Sequence, residues 1–377
     1  MIKLMIVGGF PPKGSKIFGG VVRSCNLLME SDFANKFNII PFDSTQVSIP
    51  APHLSKRLVL SFSKIIRFVI SLIIKRPNVC LIFLSDGLSA IEKGVFIWLC
   101  KLVNCKIMIF PRAGGLMAQT RNSAVFRGVV KALFSGADVF LCQGKTWKKY
   151  AIQELGFNPD ATLILNNWTA TRQLIEVGDN RSFKPDSSCK TILFVGWIED
   201  FKGTFELLEV FGNLVNEGLD IKLRLVGDGS AKDRLQKIVY SGDLTSRVQF
   251  DGWCEEKELR NILGSADIFV LPSWSEGLPN AMIEALAAGL AVIVTRVGTI
   301  PDFLTNKQHA ILIRVNDVNG LQRGIRNLVT DEPLRYTLAQ NGRKLAKENF
   351  SLESEMEKLS VIVKELAFSS NSARPDV

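Results

Sequence analysis

Glu276 and Glu284, with seven residues between them, are the pair in this chain best suited to do chemistry. Two carboxylates at one edge of a fold can accept hydrogen bonds from several hydroxyls, which is what gripping a sugar and a ribose requires. Their setting is Ser273-Trp274-Ser275-Glu276-Gly277-Leu278-Pro279-Asn280-Ala281-Met282-Ile283-Glu284. On either side, residues 267–271 and 291–295 are short apolar runs that read as buried parallel strands. Pro279 suits a first helical turn and Gly289 a C-terminal stop. Glu276 then lies in a loop at a strand's carboxyl end, where ligands bind in open α/β sheets, and Glu284 in the early part of the helix. The positive end of the helix dipole explains an acid such as Glu284 without any ligand, but not Glu276, which precedes the helix.

A second motif, Phe194-Val195-Gly196-Trp197-Ile198-Glu199-Asp200-Phe201-Lys202-Gly203, also follows a strand and precedes a helical segment. Lys202 there either holds a diphosphate as a point charge or is a solvated surface lysine. Near the N-terminus, Gly8-Gly9 is followed by Gly19-Gly20, which opens a helix. Such glycines let backbone N–H groups approach a phosphate, although tight turning alone explains them too. Leu225-Val226-Gly227-Asp228-Gly229 is a strand and a glycine turn that either reverses the chain or leaves room for a nucleotide or sugar.

These residues need strands to hold them. Strand-like runs occur at 2–7, 37–41, 79–84, 106–110, 139–142 and 162–165, and again at 191–195, 222–226, 248–250, 267–271, 291–295 and 310–313. Helix-like segments lie between them, so the expected class is α/β, with two parallel-sheet domains and a cleft between them. The expected divisions are an N-terminal domain over 1–170, a polar, turn-rich linker over 171–189, a second domain over 190–350 and a helix over 351–368; residues from about 369 to 377 should fray. Residues 56–76 carry Arg57, Ser61, Lys64, Arg67, Ser71 and Lys75 at helical spacing, while Leu58, Val59, Phe62, Ile65, Ile66, Phe68, Val69, Ile70, Leu72, Ile73 and Ile74 fill the other sides. Two readings stay open: a core-packed helix with a solvated basic edge, or an interfacial helix on anionic lipid. Its uncharged stretches fall short of the roughly 20 residues that span a bilayer.

At 377 residues, 47% hydrophobic and 22% charged, the chain is globular with room for two cores. The net charge of +9 is uneven. Residues 1–180 hold 22 Lys and Arg against 10 Asp and Glu; the remainder holds 24 against 27. A basic half suits an anionic partner: a membrane surface, an acidic lipid-linked substrate or nucleic acid. No helix-turn-helix, zinc or aromatic-interleaved basic motif supports nucleic acid, so none is expected. Seven scattered cysteines and two histidines, His53 and His309, argue against a disulfide framework or a Cys/His zinc site and for reduced thiols in a cytoplasmic protein. The first apolar run is too short for a signal-peptide core and reads as a buried strand.

Taken together, these motifs resemble glycosyltransferase family 4, the large retaining group with the GT-B fold, and within it the bacterial polysaccharide- and lipopolysaccharide-type sugar transferases. The E-x7-E element Glu276…Glu284 carries the resemblance most specifically. Val195-Gly196…Lys202-Gly203, Leu225-Val226-Gly227-Asp228-Gly229 and Val297-Gly298-Thr299-Ile300-Pro301-Asp302 accompany it in the family's order, over about residues 190–365. The N-terminal half matches more loosely, through Gly19-Gly20 and Leu165-Asn166-Asn167.

The resemblance implies two Rossmann-like parallel-sheet domains facing a cleft, with the helix over 351–368 crossing back to the N-terminal domain. It implies that Glu284 binds the ribose hydroxyls of a nucleotide. Glu276 would bind the donor sugar and stabilise positive charge developing at the anomeric carbon. Gly277 and Leu278 would line the sugar pocket. Lys202, in the motif that begins with Gly196, would hold the departing diphosphate, and Gly20, beside Gly19, would give it a backbone donor. Arg112, in Pro111-Arg112-Ala113-Gly114-Gly115, would contact donor sugar or acceptor, or else pack against its loop. The donor would be a UDP- or GDP-sugar and the acceptor a saccharide or lipid-linked saccharide, in cell-surface polysaccharide synthesis. No metal and no further cofactor are implied, and no Asp-x-Asp metal motif occurs. The setting would be cytoplasmic, peripheral at the inner face of an anionic membrane.

One departure stands out: many members carry arginine after the glycine, where this chain has Trp197. Either Lys202 carries more of the diphosphate charge, or Arg112 or Arg296 contributes, or phosphate binding is weaker. A nucleotide-sugar epimerase on the same fold is a second reading, although it needs acid and base groups that His53 and His309 do not obviously supply. A non-catalytic membrane-binding module is a third, which leaves both glutamates unexplained.

Overall fold

The computed structural model describes residues 1–12, 14, 17–45, 53–181 and 189–369. They form two six-stranded sheets in which every strand pair is parallel. The first contains β1 (Lys3–Gly8), β2 (Asn38–Asp43), β3 (Val79–Leu84), β4 (Lys106–Pro111), β5 (Val139–Cys142) and β6 (Thr162–Ile164), in the order β2-β1-β3-β4-β5-β6. The second contains β7 (Lys190–Val195), β8 (Ile221–Val226), β9 (Val248–Gly252), β10 (Ile268–Leu271), β11 (Ala291–Thr295) and β12 (Ile311–Ile313), in the order β12-β11-β10-β7-β8-β9. Every strand-like run in the sequence is a strand, with no end moved by more than two residues. The central strands β3, β5, β10 and β11 are buried at every position, as helices on both faces of a parallel sheet require. Each sheet reverses its winding once, between β1 and β3 in the first and between β7 and β10 in the second. Chain crossing in opposite directions at these points leaves a crevice outside the strands' carboxyl ends.

The chain divides into two compact units, Met1–Trp168 with Leu352–Val377, and Thr169–Ser351. In the first unit, Met356, Leu359 and Val363 of the Leu352–Phe368 helix join a core with Leu4, Ile6, Leu81 and Trp168. Glu355 on that helix is fully buried. It accepts the Asn166 backbone N–H at 2.8 Å and the Lys358 ammonium at 2.5 Å.

Residues 171–181 are not the linker that their polarity suggests. Thr171 caps the Arg172–Asp179 helix by accepting the Leu174 N–H at 3.4 Å, and Leu174 and Gly178 are buried. Arg181 then donates to the carbonyls of Ala288, Ala266 and Leu263 at 2.9, 2.6 and 2.5 Å. A short helix needs only one apolar edge to dock, so its composition stays polar. The rest of the expected linker, 182–188, and the expected fray over 370–377 lie outside the described residues.

The Leu54–Lys75 helix packs one apolar edge into the core and leaves a second apolar face exposed. Phe68 and Leu72 anchor it in the first unit's core. Arg57, Ser61 and Lys64 face inward and line a cavity, so the expected solvated basic edge does not describe this part of the helix. Val59, Phe62, Ile66, Ile70 and Ile73 point outward and are exposed. Among the described residues no helix is long and apolar enough to cross a membrane.

Candidate functional site

In the second unit, the loops leaving β7 and β10 emerge side by side at the reversal point, and their residues meet there. The Trp274 N–H donates to the Phe201 carbonyl at 2.8 Å, tying loop to loop. Gly203 has φ +69°, and a Cβ built on it would lie 2.3 Å from the Pro272 carbonyl oxygen. Only glycine allows both that backbone and that approach. The third loop closes from β11. Thr299 donates its N–H and its hydroxyl to the Gly277 carbonyl at 3.0 and 3.1 Å. Gly298, with φ +56°, would carry a Cβ only 2.2 Å from the Glu276 carbonyl oxygen.

This framework brings Lys202 and Glu276 together although 74 positions separate them. Lys202 Nζ lies 2.6 Å from Glu276 Oε1, with both side chains largely shielded, at 15% and 11% exposure. A charged pair held this way is ordered before any ligand arrives. Glu284 is buried at 4% exposure on the Asn280–Ala287 helix, which begins after Pro279 and ends before Gly289 at φ +73°. Leu278 is buried beneath the loop. Two buried hydroxyls next to these motifs, Thr204 Oγ1 and Ser273 Oγ, have no hydrogen-bond partner. Trp197 packs edge-on against Trp253, ring centroids 4.7 Å apart, and Arg296 is exposed. His309 accepts the Thr305 N–H through Nδ1 at 3.1 Å, on a loop after β11. Among the described residues no group of three or more His, Cys, Asp or Glu is placed to hold a metal ion, and all seven cysteines are free thiols.

Gly19, Gly20 and Arg112 belong to the first unit. Gly20 begins the Gly20–Glu30 helix, and Gly19 accepts the Arg23 N–H at 3.0 Å. Arg112 is boxed by aromatic rings: its guanidinium carbon lies 4.9, 5.2 and 5.7 Å from the ring centroids of Phe110, Trp168 and Phe83. Its Nη2 donates to Ser24 Oγ at 2.6 Å, and its Nη1 is buried without a partner. Burial lowers its proton affinity from the ordinary arginine value.

The first unit also holds a cavity of about 520 Å³ at its own reversal point, lined by Gly19, Gly20, Ser44, Arg57, Lys64 and Glu92 among others. Lys64 donates to the carbonyls of Ser44 and Thr45 at 3.3 and 3.0 Å. Glu92 pairs with the buried Lys93 at 2.6 Å and accepts a hydrogen bond from Ser61. Burial pushes the Glu92 carboxyl up, but Lys93, Ser61 and Lys64 outweigh it and hold the group below its ordinary value. The sequence singles out Gly19, Gly20, Arg57, Ser61 and Lys64, but not Ser44, Glu92 and Lys93 or the cavity they share, because these come from separate segments. The signals were there: a Glu-Lys pair inside an apolar helix, and no acidic residue between Asp43 and Asp86.

Residues 179–345 match the family model of glycosyl transferases group 1. The lipopolysaccharide core biosynthesis glycosyltransferase LpsE of Rhizobium meliloti (strain 1021) is 28% identical over 203 residues, covering 54% of this chain and 57% of that protein. The chain therefore aligns with little more than half of that relative's length. Among solved structures, sucrose-phosphate synthase from Thermosynechococcus elongatus superposes with a TM-score of 0.79 at 17% identity, over 98% of this chain and 100% of that one. Anabaena Alr3699/HepE, solved with UDP-glucose, gives 0.73 at 13% identity over 97% and 100%. At such identities the structural likeness establishes the fold, which is the glycosyltransferase GT-B type. The match to the glycosyl transferases group 1 model thus spans the greater part of the second unit, Thr169–Ser351.

Proposed function

We propose that the protein is a retaining glycosyltransferase that moves a sugar from a UDP- or GDP-sugar to a saccharide or lipid-linked saccharide, in cell-surface polysaccharide synthesis at the inner face of the cytoplasmic membrane. The Lys202–Glu276 pair carries this reading. A diphosphate entering beside Lys202 competes with Glu276 for the ammonium. The carboxylate is then released toward the hydroxyls of the sugar that the diphosphate brings. Glu284 would take the ribose hydroxyls, Gly277 and Leu278 would border the sugar, and Gly196 would leave room for the nucleotide. UDP-glucose in the HepE structure supports a nucleoside-diphosphate donor.

In the transfer step the bond from the anomeric carbon to the phosphate oxygen breaks and a bond to the acceptor oxygen forms on the same face. The acceptor's proton passes to the departing diphosphate. Glu276 stabilises the positive charge that grows on the sugar, and Lys202 the negative charge that grows on the diphosphate. No metal is assigned a role, and Lys202 is the protein cation for the diphosphate.

Titration calorimetry of UDP, GDP and ADP into the wild type and Glu284→Ala tests the donor half. One nucleotide should bind saturably and lose affinity in the variant. Transfer assays with a folded Glu276→Ala variant test the chemistry, and full activity there would remove Glu276 from the site.

A further inference from the structure

We propose that the outward face of the Leu54–Lys75 helix is a docking surface for anionic lipid, with Val59, Phe62, Ile66, Ile70 and Ile73 entering the interfacial region of the bilayer. Within the proposed function this names the contact that brings the first unit to a membrane, and it stands on observations separate from the nucleotide site.

The five side chains recur at spacings of three and four, the period of one helical face. On a soluble helix that stripe faces the core. Here Val59 is 69% exposed, Phe62 66% and Ile73 58%, while the inward side carries Arg57, Ser61 and Lys64. The helix is thus amphipathic with its apolar face left to the surroundings. A continuous apolar stripe over about four turns is more than scattered surface hydrophobes account for.

Charge selects lipid as the occupant. From residue 44 to residue 85 the sequence holds six Lys and Arg and no Asp or Glu. Arg67 flanks the apolar stripe, and Lys75 and Arg76 lie exposed at the helix's end. Arg76 closes the helix in a left-handed turn, φ +48°, with its N–H bonded to the Leu72 carbonyl at 3.0 Å. An apolar stripe bordered by cations and free of acids complements an anionic headgroup layer over hydrocarbon. A second copy of this chain would bring the same cations against themselves. The helix lies along the bilayer and does not cross it, because Lys64 and Arg67 interrupt its apolar length.

The test is sedimentation with vesicles of phosphatidylcholine alone and with phosphatidylglycerol added, for the wild type, Phe62→Ser/Ile70→Ser and Arg67→Glu/Arg76→Glu. All four positions are exposed, so each variant should keep the wild-type circular dichroism, and UDP, GDP and ADP titrations should match the wild type. The wild type should bind the anionic vesicles at least tenfold better than neutral ones, with the preference falling as salt rises. Each double variant should lose tenfold or more. Wild-type protein that ignores anionic vesicles, or a Phe62→Ser/Ile70→Ser variant that binds as well as wild type, overturns the proposal. So does a wild-type dimer that this variant converts to monomer without change in vesicle binding, which would assign the face to a second copy. Failed nucleotide binding with intact vesicle binding would count against the transfer reading alone.

Discussion

Gly203→Ala should disable the site without touching a ligand. At φ +69° an L side chain costs about 1–2 kcal/mol for the backbone alone. The added Cβ also starts 2.3 Å from the Pro272 carbonyl oxygen, whereas ordinary contact begins at 3.4 Å, so the two loops must part by about 1.1 Å. Forcing such a clash adds about 1–3 kcal/mol. Gly218→Ala is the matched control: its φ is +89° and nothing lies within 4 Å of the added Cβ, so it carries the backbone cost alone. The excess for Gly203→Ala should appear as a melting temperature about 2–12 °C below that of Gly218→Ala, at about 2–4 °C per kcal/mol for a unit of this size. Pro272 leads directly into the loop that carries Glu276, so the same displacement should reduce transfer by about 10²-fold. Gly218→Ala should keep wild-type turnover. Equal stability and equal activity in the two variants would show that the β7 and β10 loops do not depend on this contact and would refute the reasoning.

Other outcomes follow from the same geometry. Lys202→Ala should lower transfer by about 10²–10³, mostly in turnover, because its charge is needed most as the diphosphate departs; steady-state kinetics would read it, and an unchanged kcat would remove Lys202 from that role. Trp197→Arg should give up a ring pair of about 0.5–1.5 kcal/mol with Trp253 but tighten UDP or GDP binding by about tenfold or more, seen by calorimetry. Unchanged affinity would mean that position 197 does not reach the diphosphate. Glu355 is held above its ordinary carboxyl value, first by burial, with Lys358 and the Asn166 N–H opposing. Between the ordinary and the raised value the native state binds more protons than the unfolded chain, so Glu355 makes stability fall as pH rises through that window. Glu355→Gln should flatten this slope in denaturant titrations repeated across the acid range, and an unaltered slope would show that another group sets it.

The strands were legible because a parallel sheet covered on both faces demands unbroken apolar runs, and β3, β5, β10 and β11 supply them. The turn glycines were legible because a positive φ and a close backbone approach leave no room for a side chain, as at Gly203 and Gly298. The pairing of Lys202 with Glu276 was not, since no local pattern records which loops a sheet's reversal point brings together. Polarity misled at 171–181, where Thr171 caps a helix that docks through Leu174 and Gly178. The Leu54–Lys75 helix shows a different limit. Periodicity separates its polar side from its apolar side, but only packing reveals that Arg57, Ser61 and Lys64 line a cavity while Val59, Phe62, Ile66, Ile70 and Ile73 stay exposed.

The first unit is assembled from two stretches of chain, Met1–Trp168 and Leu352–Val377, with the whole second unit threaded between them. The leading domain usually folds first at the ribosome, but here the first unit is completed only by a segment made after the second unit. Residues 169–351 form an uninterrupted unit that can close as soon as it emerges. The first sheet must wait for Met356, Leu359 and Val363 to cover Leu4, Ile6 and Leu81. Until then its apolar surface stays open to chaperones and to other chains. A destabilised second unit also holds the two halves of the first apart, so a single defect there should appear in the cell as misfolding of both.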